Sequence, residues 1–430
     1  MPSVLKQADL FGLPPGFHYH WHLVVPLTRQ TANHLDASVS VPGRDEAWDL
    51  YEQLPVPTGA DELWRYVDPD LDLTGYSIVE TPADPLPADP FLKSILASAS
   101  ATIIDGVAAS VEGPFMAAGV EVLGLIAPSI DKFAAGHRAF VAGGVVVDVP
   151  KGAVVSDPIV VDVQAVTDRA ISFPHVTIKL GINSEASVVV FYRGPSEINS
   201  VVVPQVEVDL ADGAHLRLMT VQELGLGTYG VVQLRARLAR DASFRLGEAG
   251  LGGKLGRLDL GVELDGQGSS AQVTGLFFGH RDQVLDYRMT LTHRGPKSSS
   301  EVLLKGAVED QSQSVFAGLV RIEKTANGSS AFETNRNLVL SPDAKAHSVP
   351  NLEILCDDVM CGHGSSVGPL EEDHLYYLQS RGLSRPRAER LLIRGFFGQV
   401  LDRLPIKGLQ PALAEVLDRR FIHADLGAGG

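Results

Sequence analysis

Between Glu185 and Leu340 the chain repeats one unit, a small residue followed by a strand-like run. It reads EASVVVFY from Glu185, GAHLRLMTV from Gly213 and DASFRLGEA from Asp241. It returns as SSAQVTGLFFG from Ser269, SSSEVLLKGAVED from Ser298 and SSAFETNRNLVL from Ser329. The starts recur about every 28 to 31 residues, and Gly, Asp, Asn and Ser gather at the junctions, as tight turns require. A β region this long and even, without crossover helices, suits a solenoid or a large sandwich better than a βαβ fold. Runs such as Val145-Val146-Val147, Ile159-Val160-Val161 and Val201-Val202-Val203 fit strands buried by stacking. The expected core is therefore a parallel β-helix over residues 101–362, in a mainly β protein. Such a solenoid ends in open strand edges, which another element or another chain must cover.

The sequence on either side has a different texture. Residues 1–100 are mixed and partly helical. Arg44 to Tyr51 reads as a short helix with Trp48 inward. Pro55 and Pro57 stop it, and Thr58 reads as the N-cap of a following helix. The proline- and acid-rich Thr81 to Pro90 reads as a linker. A short helix is expected within Ser129 to Phe140. Residues 363–430 are helical. Pro369 to Asp373 opens a helix with acids in its first turn, Gly382 stops it, and Ser384 with Pro386 starts a second. A third follows from Pro411. Tyr376, Tyr377, Phe396 and Phe397 are more aromatic surface than three short helices hide among themselves, which leaves a docking face for another protein as one reading.

Composition narrows the function. The net charge of -16 argues against nucleic acid or an anionic membrane as partner. Two cysteines in 430 residues are no disulfide framework and point to a reducing compartment. No run of about 18 apolar residues would span a bilayer. Met1 to Gly16 carries no export or transit pattern, and the expected location is cytoplasmic.

The chemistry concentrates where the β region gives way to helices. Cys361 and His363 are one residue apart, and in a strand both point to one face. Cys356 has the opposite parity and is expected to point away. A thiolate with an imidazole suits zinc, iron or an iron–sulfur cluster. Two ligands are half of the usual four, so the pair is either structural or completed by another chain, with Asp357 and Asp358 as poorer donors. Nucleophilic catalysis lacks a third residue to orient His363. The glycines Gly225, Gly227 and Gly230 precede a strand and read as a turn rather than a dinucleotide site, and no phosphate loop is present. His18, His20 and His22 alternate with aromatics, a metal ridge on one reading and an aromatic arm on the other. A β-helix enzyme acting on a polysaccharide remains the alternative, with acids scattered along the coils.

The segment SVPNLEILCDDVMCGHGSSVGPLEEDHLYYLQSRGLSRPRAERLLIRGFF closely resembles the C-terminal region of the SufB/SufD family of iron–sulfur cluster assembly proteins. LPVPTGADELWRY, GVVVDVPKGAVVSDPIVV and TNRNLVLSPDAKAHSVPNLEI support it. Within the family the chain resembles SufD. SufB carries a cysteine where this chain has Ala344, before His347-Ser348-Val349-Pro350, and a Glu-His-Glu run where this chain has Gly362-His363-Gly364. The resemblance implies a right-handed parallel β-helix flanked by helical N- and C-terminal domains. It implies a non-enzymatic scaffold that pairs with a SufB-like subunit through the β-helix ends and docks a SufC-like ATPase through the C-terminal helices. It makes His363, with Cys361 beside it, the candidate metal ligand at the interface with the partner. It also implies a nascent iron–sulfur cluster there, no cofactor held tightly by this chain alone, and flavin in the assembled complex.

Overall fold

A computed structural model describes residues 24–427; His18, His20 and His22 lie outside them. Successive strands alternate between two sheets, so each pair makes one coil, and about 8 coils stack into a parallel β-solenoid. In the first sheet the stack runs through Ile159–Gln164, Glu185–Arg193, His215–Glu223, Ser243–Gly250, Ser270–Gly279, Ser299–Val308 and Ser329–Val339 to Val359–Gly368. In the second it runs through Gly144–Val149, His175–Leu180, Gln205–Leu210, Tyr229–Leu238, Leu255–Leu264, Val284–His293 and Gln313–Ile322 to Lys345–Ile354. The repeat sets the register, as Leu216 pairs with Phe244 and Phe244 with Ala271. The inward positions form one apolar core, including Val188, Leu218, Leu246, Leu234 and Leu260. Each such side chain contributes roughly 1.5–3 kcal/mol by leaving water. The turns between coils need left-handed backbone at one position, where Asn183 and Asp241 stand with φ of 55°. Both residue types tolerate that region better than most.

The two ends of the stack differ. At the first end the chain folds back on itself. Val107–Glu112 pairs antiparallel with Ala99–Ile104, and Met116–Ala118 pairs antiparallel with Gly144–Val149. At the other end Lys345–Ile354 and Val359–Gly368 are the outermost strands of their sheets, and no described strand pairs with either free edge.

Both flanks are covered. The helices Arg29–Ser38, Arg44–Gln53 and Lys132–Phe140 form one cluster, in which Trp48, Tyr51, Phe133 and Phe140 pack towards Val201, Tyr229 and Leu255 of the solenoid. Trp48 points inward as its spacing indicates. Thr58 caps no helix. Asp61, whose carboxylate accepts from the Thr58 N–H, precedes a single turn, Glu62–Trp64. Prolines at 55 and 57 fix an extended entry that leaves room for no more. This segment then straps the solenoid. The carbonyls of Leu63, Arg65 and Tyr66 accept from Arg257, Arg288 and Gln313, on three successive strands of the second sheet.

The helices Glu372–Ser380, Arg385–Leu401 and Gln410–Gly427 follow the last coil. Ile393, Phe397, Val400 and Leu413 pack on the outer face of the first sheet, against the cluster of Phe191, Met219, Val221 and Phe278. Gly382 ends the first of these helices with φ of 91°, a conformation that only glycine adopts without strain. The last strand runs to Gly368, so His363 belongs to the solenoid rather than to the helical segment that follows it.

Candidate functional site at the open end

The register defines a column of side chains facing the lumen. Ile159, Val188, Leu218, Leu246, Val273 and Val302 occupy it in turn, each buried, and the next two residues are Glu333 and His363. A neighbouring column runs Leu216, Phe244, Ala271, Ser300, Ala331 and ends at Cys361. Cys361 and His363 therefore share the inward face of the last strand. Cys361 is half-buried and packs against a small cluster of Val320, Ile322, Ala326, Ala331 and Cys356, while His363 is exposed at the rim. The solenoid is thus apolar along this line and turns polar only where its end opens.

Cys356 corrects the parity expectation. The preceding strand ends at Ile354, so alternation does not reach Cys356. It sits in the turn, 8% exposed, and its thiol donates to Asn327 Oδ1 at 3.0 Å within the same cluster that Cys361 joins. Both cysteines are free. Asp357 and Asp358, in that turn, are exposed.

A polar network lines the rest of the opening. Ser365 donates to Ser348 Oγ at 2.7 Å, Ser348 to Asn335 Oδ1 at 2.7 Å, and Asn337 Nδ2 to the same oxygen at 2.6 Å. Glu333 stays outside it. Its side chain is 1% exposed, and neither carboxylate oxygen has a hydrogen-bond partner. Burial pushes its carboxyl up to about 7. The lumen is shaped around it. The facing column of the second sheet carries Val206, Leu234, Leu260 and Met289 and then Gly318, where a Cβ would collide with the Glu333 carboxylate. On the outside of the last coil, His347 stacks on Tyr66 with ring centroids 4.5 Å apart, so the N-terminal strap ends at this edge. Ala344 is buried in the turn before that strand.

Among the described residues no group of three or more His, Cys, Asp and Glu side chains is gathered to hold a metal ion. Cys361 and His363 stand as a pair at the rim. Glu333 escaped the sequence reading because AFETNRN looks like ordinary strand alternation. Aligning the repeats by register would have exposed it as the first charge in an aliphatic column. Gly225 lies in a turn with Thr228 that leads into the strand Tyr229–Leu238, so no helix follows these glycines.

These features define a parallel β-solenoid protein, sealed by its own chain at one end and carrying a thiol–imidazole pair at an open other end. Residues 163–396 match the family described as SUF system FeS cluster assembly, SufBD core domain. The chain is 30% identical over 374 residues to an iron–sulfur cluster assembly SufBD family protein of Mycobacterium tuberculosis, covering 85% of this chain and 89% of that protein. It is 32% identical over 315 residues to the iron–sulfur cluster assembly protein SufD of Bacillus subtilis, with 72% and 70% covered. With SufD of Escherichia coli the figures are 27% over 259 residues, 60% and 61%. The chain belongs to the SufBD family.

Proposed function

We propose that this chain is a SufD-like scaffold subunit for iron–sulfur cluster assembly, which pairs edge to edge with a SufB-like subunit and performs no chemistry alone. The observation that carries the reading is the asymmetry of the solenoid. One end is closed by antiparallel strands, and the other leaves two strand edges unpaired beside Cys361 and His363. Ten-residue edges with free N–H and C=O groups are templates for strand addition. A two-donor half-site at such an edge is completed when a second chain brings further ligands. Iron and sulfide are then cargo of the joint site, with His363 as ligand or proton acceptor and Cys361 beside it. On this reading the principal thiolate is the partner's, since this chain has Ala344 where the resemblance to the family implies a cysteine in SufB.

The C-terminal helices suit a second contact, with a SufC-like ATPase. Tyr376, Tyr377 and Leu391 are 75%, 57% and 51% exposed there, large side chains with apolar surface left in water. Flavin, if it acts, belongs to the assembled complex. The polysaccharide-enzyme alternative has a flank groove lined by Arg193, Glu223, His280 and Arg419, but its Glu223 is paired with Arg419. Flank carboxylates Asp162, Asp259 and Asp286 are tied to Arg193, Arg235 and Arg257. A cytoplasmic site of action fits the two free thiols, and no described helix is long and apolar enough to cross a membrane.

The test is co-expression with SufB-like and SufC-like partners from the same source, for wild type and His363→Ala. We expect a mixed complex of unchanged mass that loses iron and sulfide in the variant. Full iron and sulfide in the variant would reduce His363 to a structural residue. Failure of any complex to form would remove the scaffold reading.

A further inference from the structure

A buried carboxylate with no partner is costly to a fold, because desolvation penalises the charge and nothing nearby compensates it. Glu333 is in that condition, and the surroundings were not made to relieve it. The Asn335, Asn337, Ser348 and Ser365 network bonds among its own members, leaves Asn337 Oδ1 without a partner and does not reach the Glu333 oxygens. In all the preceding coils paired through this column an aliphatic side chain suffices. The exchange of an aliphatic residue for glutamate coincides with a second exchange across the lumen, to Gly318, which makes the space that the carboxylate occupies. Two matched departures from the repeat, one coil below the rim, mark a position kept for binding rather than for packing. The next residue up the column is His363, on a strand roughly 4.8 Å away in register.

We propose that Glu333 is a third inward-facing donor of the open end, whose carboxylate binds the ferrous ion received by His363 from the lumen side. This rests on the half-site reading above. In this structure the three donors do not converge on one point, since the Glu333 carboxylate lies across the lumen against Gly318. The three torsions of a glutamate side chain carry its oxygens over several ångströms without backbone movement, and carboxylate oxygen beside imidazole nitrogen is an ordinary donor set for ferrous iron. Cys361, on the adjacent column of the same face, supplies the soft donor that a growing sulfide cluster prefers. The lumen below is closed by Val302, Leu304 and Phe316, so the ion enters from the rim and goes no deeper.

Glu333→Gln tests this, because the amide keeps the shape and removes the charge. The mixed complex is purified anaerobically for wild type, Glu333→Gln and His363→Ala, and ferrous ion alone is titrated into each. We expect both variants to assemble with unchanged mass and to bind ferrous ion roughly 10-fold more weakly than wild type. We also expect Glu333→Gln to unfold at a higher temperature than wild type at about pH 8.5, above the value of about 7 to which burial pushes the wild-type carboxyl. Wild-type ferrous affinity in Glu333→Gln beside weakened binding in His363→Ala would overturn the role of Glu333 and leave the half-site standing. Wild-type affinity in both would remove the half-site itself. A Glu333→Gln chain that fails to assemble would make Glu333 a packing residue and overturn the inference equally.

Discussion

Glu248 shows what the lumen does to a carboxyl that has a partner. It is 4% exposed and accepts from the Thr220 hydroxyl, and burial pushes it from 4.5 up to about 8. The folded state then holds a proton that the unfolded chain has released. The contribution to stability is fully present below about pH 4.5 and is lost as pH rises through about 8. It amounts to about 5 kcal/mol at about 1.4 kcal/mol per pKa unit. Glu248→Gln is therefore expected to raise the melting temperature at pH 8.5 and to leave it nearly unchanged at pH 5, as calorimetry at the two pH values would read. Histidines set the opposite limit. Burial lowers His175 and His293 from 6.5 to about 4, so their contribution is present above pH 6.5 and is lost as pH falls through about 4. Wild-type stability should decline on both sides of mid-range pH in a denaturation series, and a flat profile would refute both assignments. At this scale the shared face of Cys361 and His363 was legible, because residues two positions along a strand point the same way. Glu333 was not, since its meaning lies in what stands above and below it in other coils. Cys356 was misjudged because parity holds only while a strand lasts.

The elements carry separable loads. Phe397 is fully buried on the helix Arg385–Leu401 and joins it to the first sheet. Phe397→Ala is expected to cost about 3–5 kcal/mol, mostly by loosening the C-terminal helices. Amide exchange should then quicken over 385–417 while the solenoid strands keep their protection; equal loss in both would show that the helices and solenoid unfold as one unit. The last strand behaves differently. Met360 is 69% exposed on its outward face, so Met360→Lys should change stability by no more than about 0.5 kcal/mol. A lysine at an edge discourages strand addition, and light scattering of the mixed complex should show weaker pairing. Unchanged association would place the contact elsewhere. The helix stop at Gly382 and the start at Arg385 could be read from glycine, serine and proline alone, whereas the helix expected within Ser129 to Phe140 begins only at Lys132, capped by Asp131. The one-turn element after Thr58 could not be read in this way, because a serviceable cap signals a helix without saying how far the strap across the solenoid will let it run.

Over the whole molecule, the repeat made the solenoid legible, since a strand unit of even spacing has few ways to bury its apolar face. The closed first end was not legible. Val107–Glu112 belongs to a run that reads like the other strands and Met116–Ala118 is too short to read as one, and only their antiparallel pairing marks them as a cap. That cap gives the molecule its polarity: one end finished, the other leaving two edges, a thiol, an imidazole and a buried carboxylate together. The measurement that bears most directly on this is amide hydrogen exchange over residues 345–368, for the chain alone and in the complex with its SufB-like partner. Partner addition should pair the two open edges and slow exchange along both Lys345–Ile354 and Val359–Gly368. Unaltered exchange there in a complex that has formed, with protection appearing on another surface, would contradict the assignment of the open end as the assembly face.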